Sequence, residues 1–322
     1  MNGVEKMRGL YFDGKLQYRE DIEKPKINKC ESLIKVLYAG ICNTDKEIVK
    51  GYKKFKGILG HEFVGIVEDS TDENLIGERV VGDINIGCNY CVFCEQGLYN
   101  HCINRKILGM TDKDGAFAEY ITLPNKNIHI VPENVSNLEA VFAEPLAAAL
   151  EITEMYHIKP TDKVAIIGDG KLGQMISQVI SLTGCDLTII GKHIEKLELL
   201  KSKGKIILLD ELKYDRYFDI VIDCTGNEQG LIYSQRIVKP RGTIILKSTY
   251  NSIAILNPTE WVVNELNILG TRCGPIDAAL RIMERKMFSI DGLVGEIYSL
   301  KDYKAAFNSN IGVKSIFDLQ KV

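Results

Sequence analysis

The sequence contains no stretch that approaches about 18 consecutive apolar residues, the length that a membrane-spanning helix requires. Its first residues, MNGVEKMRGLYFDG, mix charged residues with short apolar pieces and lack the apolar core of a secretory signal peptide. We therefore expect a soluble, cytoplasmic protein with no membrane partner.

The sequence also lacks an excess of basic residues. Its 40 Lys and Arg residues are outnumbered by 43 Asp and Glu residues, which gives a formal net charge of −3. Nucleic acids and acidic membrane surfaces bind preferentially to basic protein faces. We therefore expect no nucleic-acid partner, and a small-molecule substrate is the better hypothesis.

Internal repeats and low-complexity linkers are absent as well, and the composition, with 45% apolar and 26% charged residues, is that of a globular protein. Because 322 residues exceed the size of one ordinary domain core, we expect about two domains.

The first part of the chain, up to about residue 135, has the pattern of short strands separated by turns. A hairpin is predicted where residues 10–12 and 16–18 flank the turn Asp13-Gly14-Lys15. Further strands are expected at residues 32–38 and 63–67, which are rich in β-forming residues. This part is therefore predicted to be mainly β.

After Pro145, strands and helices alternate, a pattern typical of a parallel, doubly wound sheet. The predicted strands are residues 164–167, 187–190, 205–209, 219–223, 243–246 and 267–269. The predicted helices are residues 174–182, 194–203 and, in the tail, 276–287. The predicted fold class is therefore α/β, with a β-rich domain and a domain built on a doubly wound parallel sheet.

Four of the nine cysteines, Cys88, Cys91, Cys94 and Cys102, are clustered. An odd number of cysteines with such a cluster does not suit a disulfide scaffold, whereas four thiolates can close a tetrahedron around Zn²⁺. This closed shell leaves no open position, so the predicted ion is structural. A [4Fe–4S] cluster is the alternative, and the lack of a second cysteine set and of a proline after the last cysteine disfavours it.

A glycine-rich loop follows the predicted strand at residues 164–167 and precedes a helix. In that position glycines allow a tight turn, a close approach to a pyrophosphate and close packing of the helix on the strand. The candidate cofactor-binding residues of this loop are Gly168, Gly170, Lys171, Leu172 and Gly173.

The end of the second strand of this domain bears on the choice of cofactor. NAD sites usually carry an acidic residue there, which binds the adenosine ribose diol. Here the strand ends in Gly191, Lys192 and His193, while Asp186 and Glu195 are poorly placed. Without a carboxylate, Lys192 and His193 could attract a 2′-phosphate, so NADP is predicted to be preferred over NAD.

Three short segments, together with the cysteine cluster, resemble one family. The segments are Gly40-Ile41-Cys42-Asn43-Thr44-Asp45, Gly60-His61-Glu62 and Ala143-Glu144-Pro145-Leu146. In this order, over nearly the whole chain, they are similar to the zinc-containing medium-chain dehydrogenases/reductases, which include alcohol and polyol dehydrogenases. Residues 42–48 are most similar to the glucose/sorbitol dehydrogenase branch, although Asn43 replaces a usual glycine.

The resemblance implies a catalytic zinc bound by Cys42, His61 and a carboxylate, and hence two zinc ions per chain. In the polyol and sugar branch the carboxylate corresponds to Glu144, and Glu62 can approach the metal in turn. Zinc is a Lewis acid that makes an alcohol hydroxyl more acidic. Because Zn²⁺ is not redox-active, the dinucleotide must accept the hydride.

The resemblance also implies roles for neighbouring residues. Thr44 would take the proton of the alcohol, and Asp45 would accept a hydrogen bond from His61 and fix its tautomer. Glu47 stands where many members carry the histidine that ends the proton relay. Further cofactor contacts are implied for Thr225, Gly226, Thr271 and Arg272.

The implied architecture is a GroES-like catalytic domain, residues 1–138 and 274–322, interrupted by a Rossmann domain, residues 139–273. The structural-zinc lobe comprises residues 88–102. The expected reaction is hydride transfer between a secondary alcohol, polyol or sugar and NAD(P), in a homo-oligomer, either a dimer or a tetramer. The alternatives are a primary-alcohol dehydrogenase or aldehyde reductase of the same family, and a zinc-stabilised nucleotide-binding protein without turnover.

Overall fold

The computed structural model describes residues 5–249, 257–309 and 313–321. Contacts divide the chain into two compact units. The first unit comprises the chain up to Glu144 and from Ile276 onward, and the second comprises Pro145–Pro275. The corresponding boundaries predicted from the sequence fall after residues 138 and 273. Within the described ranges, no helix is long and apolar enough to cross a membrane.

The N-terminal part of the first unit consists mainly of strands. They are β1 (Lys6–Asp13), β2 (Leu16–Glu23), β3 (Glu31–Gly40), β4 (Lys56–Ile58), β5 (Glu62–Ser70), β6 (Arg79–Gly82), β7 (Asn85–Ile86), β8 (Lys106–Ile107), β9 (Tyr120–Pro124) and β10 (Ile128–Ile130). The helices of this part are α1 (Asn43–Val49), α2 (Val92–Glu95) and α3 (Asn137–Ala140). β1 and β2 form the predicted hairpin, and Gly14 in its turn has a φ of +72°, which favours glycine.

The second unit alternates helices and strands, beginning with a helix that starts just before the unit boundary. Its helices are α4 (Ala143–Met155), α5 (Lys171–Ser181), α6 (Ile194–Glu198), α7 (Glu228–Ile237) and α8 (Pro258–Val263). Its strands are β11 (Lys163–Ile167), β12 (Asp186–Gly191), β13 (Lys205–Leu208), β14 (Phe218–Asp223), β15 (Val238–Leu246) and β16 (Asn267–Gly270).

These six strands form one parallel sheet in the order β13-β12-β11-β14-β15-β16. Ile166 in the central strand lies opposite Ile189 on one side and Ile222 on the other, and all three side chains are fully buried. Strands that are apolar on both faces are typical of a sheet covered by helices. The strand order reverses between β11 and β14, which is the doubly wound arrangement. The predicted α/β fold class is confirmed.

Three helices differ from their predicted bounds. α5 begins at Lys171, because the glycine-rich loop itself leads directly into the first turn. α6 ends at Glu198, well before the predicted end, because the following backbone bonds, such as Leu200 N–H to Leu197 C=O at 2.8 Å, span three residues and form tighter turns. The helix in the tail ends at Glu284.

The tail adds elements to the first unit. They are α9 (Ile276–Glu284), β17 (Val294–Tyr298), α10 (Tyr303–Asn308) and β18 (Lys314–Asp318). A seven-stranded sheet has the path β10-β6-β5-β3-β18-β17, with β9 also paired to β3. Within it, Gly40 at the end of β3 lies opposite Glu62 of β5 and Ile316 of β18. Residues from distant parts of the sequence therefore meet at this end of β3.

Candidate active site and nucleotide-binding loop

The candidate metal centre, defined as Cys42, His61 and Glu62, lies where β3 and β5 meet. Cys42 directly precedes α1, and His61 directly precedes β5. The ligand atoms of the three residues lie within 4.8 Å of one another, and His61 and Glu62 are buried. A thiolate, an imidazole and a carboxylate at this spacing can hold a zinc ion.

Asp45 in α1 contacts two residues of this centre, Cys42 and His61. Its Oδ2 accepts a hydrogen bond of 2.8 Å from the backbone N–H of Cys42, and its Oδ1 lies 3.3 Å from Nδ1 of His61. The geometry of the second contact leaves both atoms without a hydrogen-bond partner among the described residues. Burial lowers the pKa of His61, but the neighbouring Asp45 and Cys42 together raise it, so that this pKa lies well above its usual value.

Glu62 forms a buried ion pair with Lys314 of β18. Both side chains are only 2% exposed, and the Lys314 ammonium also lies 5.4 Å from the centre of the Phe142 ring. A Cβ on Gly40 would lie 2.9 Å from Glu62 Oε2 and 2.9 Å from Lys314 Cδ, so the pair leaves no room for a side chain there. A buried cation that was not expected from the sequence therefore lies beside the centre.

Glu144 lies in the first turn of α4 and is partly buried. It is outside the group of ligand atoms that lie within 4.8 Å of one another, although it interacts electrostatically with His61, Glu62 and Lys314. Burial raises the pKa of Glu144 to about 7, His61 opposes this rise and Glu62 adds to it. Of the two candidate carboxylates, the structure thus brings Glu62 to Cys42 and His61.

The two residues with an implied role in proton transfer lie on α1. Thr44 Oγ1 is 3.7 Å from the sulfur of Cys42. Glu47 is partly exposed, and its Oε1 accepts a hydrogen bond of 2.9 Å from Lys50 Nζ. Thr44 is therefore beside the candidate metal centre, whereas Glu47 has a surface lysine as a partner.

The structural-zinc lobe brings its four cysteines together around α2. The sulfur atoms of Cys88, Cys91, Cys94 and Cys102 lie within 4.8 Å of one another, and none forms a disulfide. Backbone hydrogen bonding from Cys94 lowers the pKa of Cys91 to about 6, while burial raises the pKa of Cys94 to about 11. This closed set of thiols, one of them inclined to ionise, matches the donors of a structural zinc site.

The glycine-rich loop joins β11 to α5. Gly168 has a φ of +125°, and a Cβ on Gly173 would lie 2.0 Å from the carbonyl oxygen of Gly168. A Cβ on Gly170 would meet no atom within 4 Å, and α5 begins at the next residue, Lys171, followed by Leu172. The loop is therefore closely packed on the protein side and open beside the helix N-terminus, where a pyrophosphate can approach.

The side chain of Asp169, the second residue of the loop, reaches the end of β12. Its Oδ2 accepts hydrogen bonds from the backbone N–H groups of Lys192 (2.6 Å) and His193 (2.7 Å). The His193 Nδ1 lies 3.0 Å from the same oxygen. The expectation that no carboxylate lies at this strand end is wrong, because that of Asp169 reaches it across Gly191.

The remaining predicted cofactor contacts follow the ends of β14 and β16. Thr225 donates a hydrogen bond of 2.8 Å to Asp223 Oδ1, and Gly226 has a φ of +71°. Lys247 donates to Thr271 Oγ1 at 3.0 Å and to the backbone carbonyl of Arg272. All of these residues lie near the carboxyl ends of parallel strands, where such sheets bind ligands.

The chain is similar in sequence to known alcohol and polyol dehydrogenases. Residues 28–133 match the alcohol dehydrogenase GroES-like domain family. D-arabinitol dehydrogenase 1 of Uromyces fabae is 28% identical, over 94% of this chain and 93% of the relative. Sorbitol dehydrogenase of Bacillus subtilis (strain 168) is 30% identical, over 78% of this chain and 77% of the relative. The chain belongs to the zinc-containing medium-chain dehydrogenase/reductase family.

A solved structure agrees with this membership. A zinc-binding dehydrogenase of Sinorhizobium meliloti 1021, bound to NADP, has a TM-score of 0.90 and 25% identity, and the match covers 98% of this chain and 99% of that chain. This medium-chain dehydrogenase is accordingly a zinc- and nicotinamide-dependent oxidoreductase of the alcohol and polyol class.

Lys314 and Asp169 were not predicted as residues of their sites, for two different reasons. Lys314 lies 252 positions after Glu62, and only the pairing of β18 with β3 brings it near. The strand itself gave little signal, because β18 also contains Ser315 and Asp318 and does not stand out as apolar. Asp169 occupies a variable position of the glycine-rich motif, and its signal was an acid in the loop combined with the lack of one at the strand end.

Proposed function

We propose that this enzyme oxidises a secondary alcohol of a polyol or sugar, and reduces the corresponding ketone, with a nicotinamide dinucleotide as hydride carrier. The observation that carries the proposal is the group of Cys42, His61 and Glu62, with Asp45 bonded to the backbone of Cys42. The relatives named for D-arabinitol and sorbitol support the substrate class.

We infer that each chain holds two zinc ions. Cys88, Cys91, Cys94 and Cys102 would hold the structural ion. Cys42, His61 and Glu144 would hold the catalytic one, with Glu62 as an exchanging carboxylate. Glu144 supports this assignment because none of the ion pairs in the described residues includes it, whereas Glu62 already has Lys314. A divalent cation would supply the missing positive charge.

The residues around the centre have separate tasks in this proposal. A bound zinc would supply Lewis acidity toward the substrate hydroxyl. Asp45 holds the Cys42 backbone and faces the His61 ring, which fixes the orientation of both ligands. Thr44 Oγ1, 3.7 Å from the Cys42 sulfur, takes the hydroxyl proton and passes its own proton on toward the cofactor ribose and bulk water, and the loop at residues 168–173 binds the dinucleotide.

The sequence-based preference for NADP requires that no carboxylate face Lys192 and His193. Asp169 does face them, so the proposed function includes a nicotinamide dinucleotide but not a preference for its 2′-phosphorylated form.

We also propose a cytoplasmic location, since clustered free thiols suit a reducing compartment. We further propose assembly as a homo-oligomer, either a dimer or a tetramer.

Turnover on a panel of substrates tests the proposed function. The zinc-loaded enzyme is assayed with pentitols, hexitols, simple secondary alcohols and simple primary alcohols, each with NAD and NADP. The highest kcat/KM is expected for a polyol. A clear preference for primary alcohols would overturn the substrate class, and zinc-loaded enzyme that binds dinucleotide without turnover of any substrate would favour a nucleotide-binding protein.

Replacing Cys91 with alanine is expected to reduce the zinc content from two ions per chain to one, because three thiolates cannot close the tetrahedron. The structural-zinc lobe should then become sensitive to proteases. Elemental analysis and limited proteolysis provide the measurements. Cys185→Ala, a partly buried cysteine outside both proposed sites, should retain both ions. Full zinc content in the Cys91 variant would contradict the assignment.

The glycines of the loop offer a matched pair of substitutions. Gly173→Ala is expected to destabilise the protein by about 1–3 kcal/mol or more, because its Cβ would lie 2.0 Å from the Gly168 carbonyl. Gly170→Ala, with no atom within 4 Å, should leave the melting temperature nearly unchanged but weaken NADH binding, because its Cβ enters the space beside the pyrophosphate. Thermal unfolding and fluorescence titration measure the two effects, and equal melting temperatures would contradict this packing.

A further inference from the structure

The carboxylate of Asp169 lies at the end of β12. It accepts two backbone hydrogen bonds there, and its side chain is only 10% exposed, whereas that of His193 is 48% exposed. The His193 ring nitrogen lies 3.1 Å from Oδ1 and 3.0 Å from Oδ2. The hydrogen bonds from Lys192 and His193 lower the pKa of Asp169 in spite of its burial, so the group is an anion at neutral pH.

Gly191 makes this position of Asp169 possible. A Cβ on Gly191 would lie 2.5 Å from Asp169 Oδ2 and 2.6 Å from Asp169 Cβ. Any side chain at the last residue of β12 would therefore displace the Asp169 carboxylate. The strand end lacks an acid of its own, and the loop supplies one in the space that the glycine leaves free.

A 2′-phosphate at this strand end would meet two obstacles. The backbone N–H groups of Lys192 and His193, which could bind it, already donate to Asp169. The carboxylate would also place a negative charge beside a dianionic group in a partly buried site, where like charges repel strongly. An unphosphorylated ribose presents hydroxyl donors instead, which a carboxylate can accept.

We propose that Asp169 is the specificity-determining residue for the cofactor, that it accepts the adenosine ribose diol of NAD and that it excludes the 2′-phosphate of NADP. This inference rests on the proposed use of a nicotinamide dinucleotide. It reverses the preference predicted from Lys192 and His193 alone, and it assigns to a loop residue the task that an acid on β12 would otherwise perform.

Direct binding of the reduced cofactors to the zinc-loaded full chain tests the inference. NADH and NADPH are titrated separately by fluorescence. The wild-type protein is expected to bind NADH at least about tenfold more tightly, the difference that one charge-assisted hydrogen bond supplies. Asp169→Asn should reduce the ratio of the Kd for NADPH to the Kd for NADH by at least about tenfold, mainly because NADPH binds more tightly. Asp169→Ser provides a second substitution without a carboxylate.

Asp186→Asn is the matched control, since it removes an exposed carboxylate from the opposite end of the same strand and should leave the Kd ratio unchanged. If Asp169 only holds the loop in shape, its variants should weaken both cofactors equally, and an unchanged ratio would overturn the inference. Wild-type protein that binds NADPH as tightly as NADH would overturn it without any variant. Failure of the wild-type protein to bind either cofactor would instead overturn the proposed function.

Discussion

Replacing Cys42 with alanine is expected to lower kcat/KM for the preferred polyol by at least about a thousandfold. The thiolate is the only soft ligand of the candidate metal centre, and its backbone N–H is held by Asp45. Without it the catalytic ion should be lost or displaced, while the structural one remains. Steady-state kinetics and elemental analysis should therefore show one zinc ion per chain and almost no turnover.

The fold should survive this substitution, because Cys42 is only partly buried and alanine fits within its volume. NADH binding should also persist, because the glycine-rich loop belongs to the other unit. Cys30→Ala, which removes an exposed cysteine from the same unit as Cys42, is the control and should retain full activity. Near-normal turnover in the Cys42 variant would show that this centre does not perform the chemistry.

Features encoded in short segments could be predicted from the sequence. The four-cysteine cluster spans residues 88–102, and the loop between β11 and α5 spans residues 168–173, so spacing alone indicates their chemistry. The apolar central strands of the parallel sheet were likewise recognisable, because β11, β12 and β14 are buried on both faces over most of their length. In the first two cases the contacts form between residues that are close in the chain, and in the third the apolar pattern of each strand is itself local.

The candidate metal centre could be predicted only through a resemblance, since Cys42 and His61 come from different strand ends. The choice between Glu62 and Glu144 depends on where a lysine of the tail lies, and Lys314 reaches Glu62 through the pairing of β18 with β3. No local pattern specifies that register. The position of a buried charge is thus a property of the assembled sheet.

The preference for NADP stays a prediction, but the carboxylate at the end of β12 could not be foreseen from the sequence for a similar reason. A prediction from spacing looks for an acid on β12 itself, whereas the carboxylate belongs to Asp169 in the loop after β11. Asp169 can extend to the end of β12 only because Gly191 has no side chain there. Asp169 follows β11, and Gly191 ends β12. The two residues come into contact only because these strands pair in the sheet.

The buried ion pair leads to the largest expected effect on stability. Replacing Lys314 with methionine should reduce the free energy of unfolding by about 3–5 kcal/mol, because it leaves the Glu62 carboxylate buried without its partner. Methionine retains most of the apolar stem that packs near Phe142, so the loss should come mainly from the charge. Urea unfolding of the zinc-loaded protein, followed by circular dichroism, measures the change.

A double-variant cycle separates this charge effect from lost packing. In the Glu62→Gln, Lys314→Met protein no buried charge is left unpaired, and much of the lost stability should return relative to Lys314→Met alone. Lys321→Met, which removes a lysine that is 56% exposed from a 3.8 Å pair with Asp318, should change stability by less than about 0.5 kcal/mol. If the double variant is less stable than Lys314→Met, then packing and not the unpaired carboxylate accounts for the loss, and Lys314 does not act as the counter-charge of Glu62.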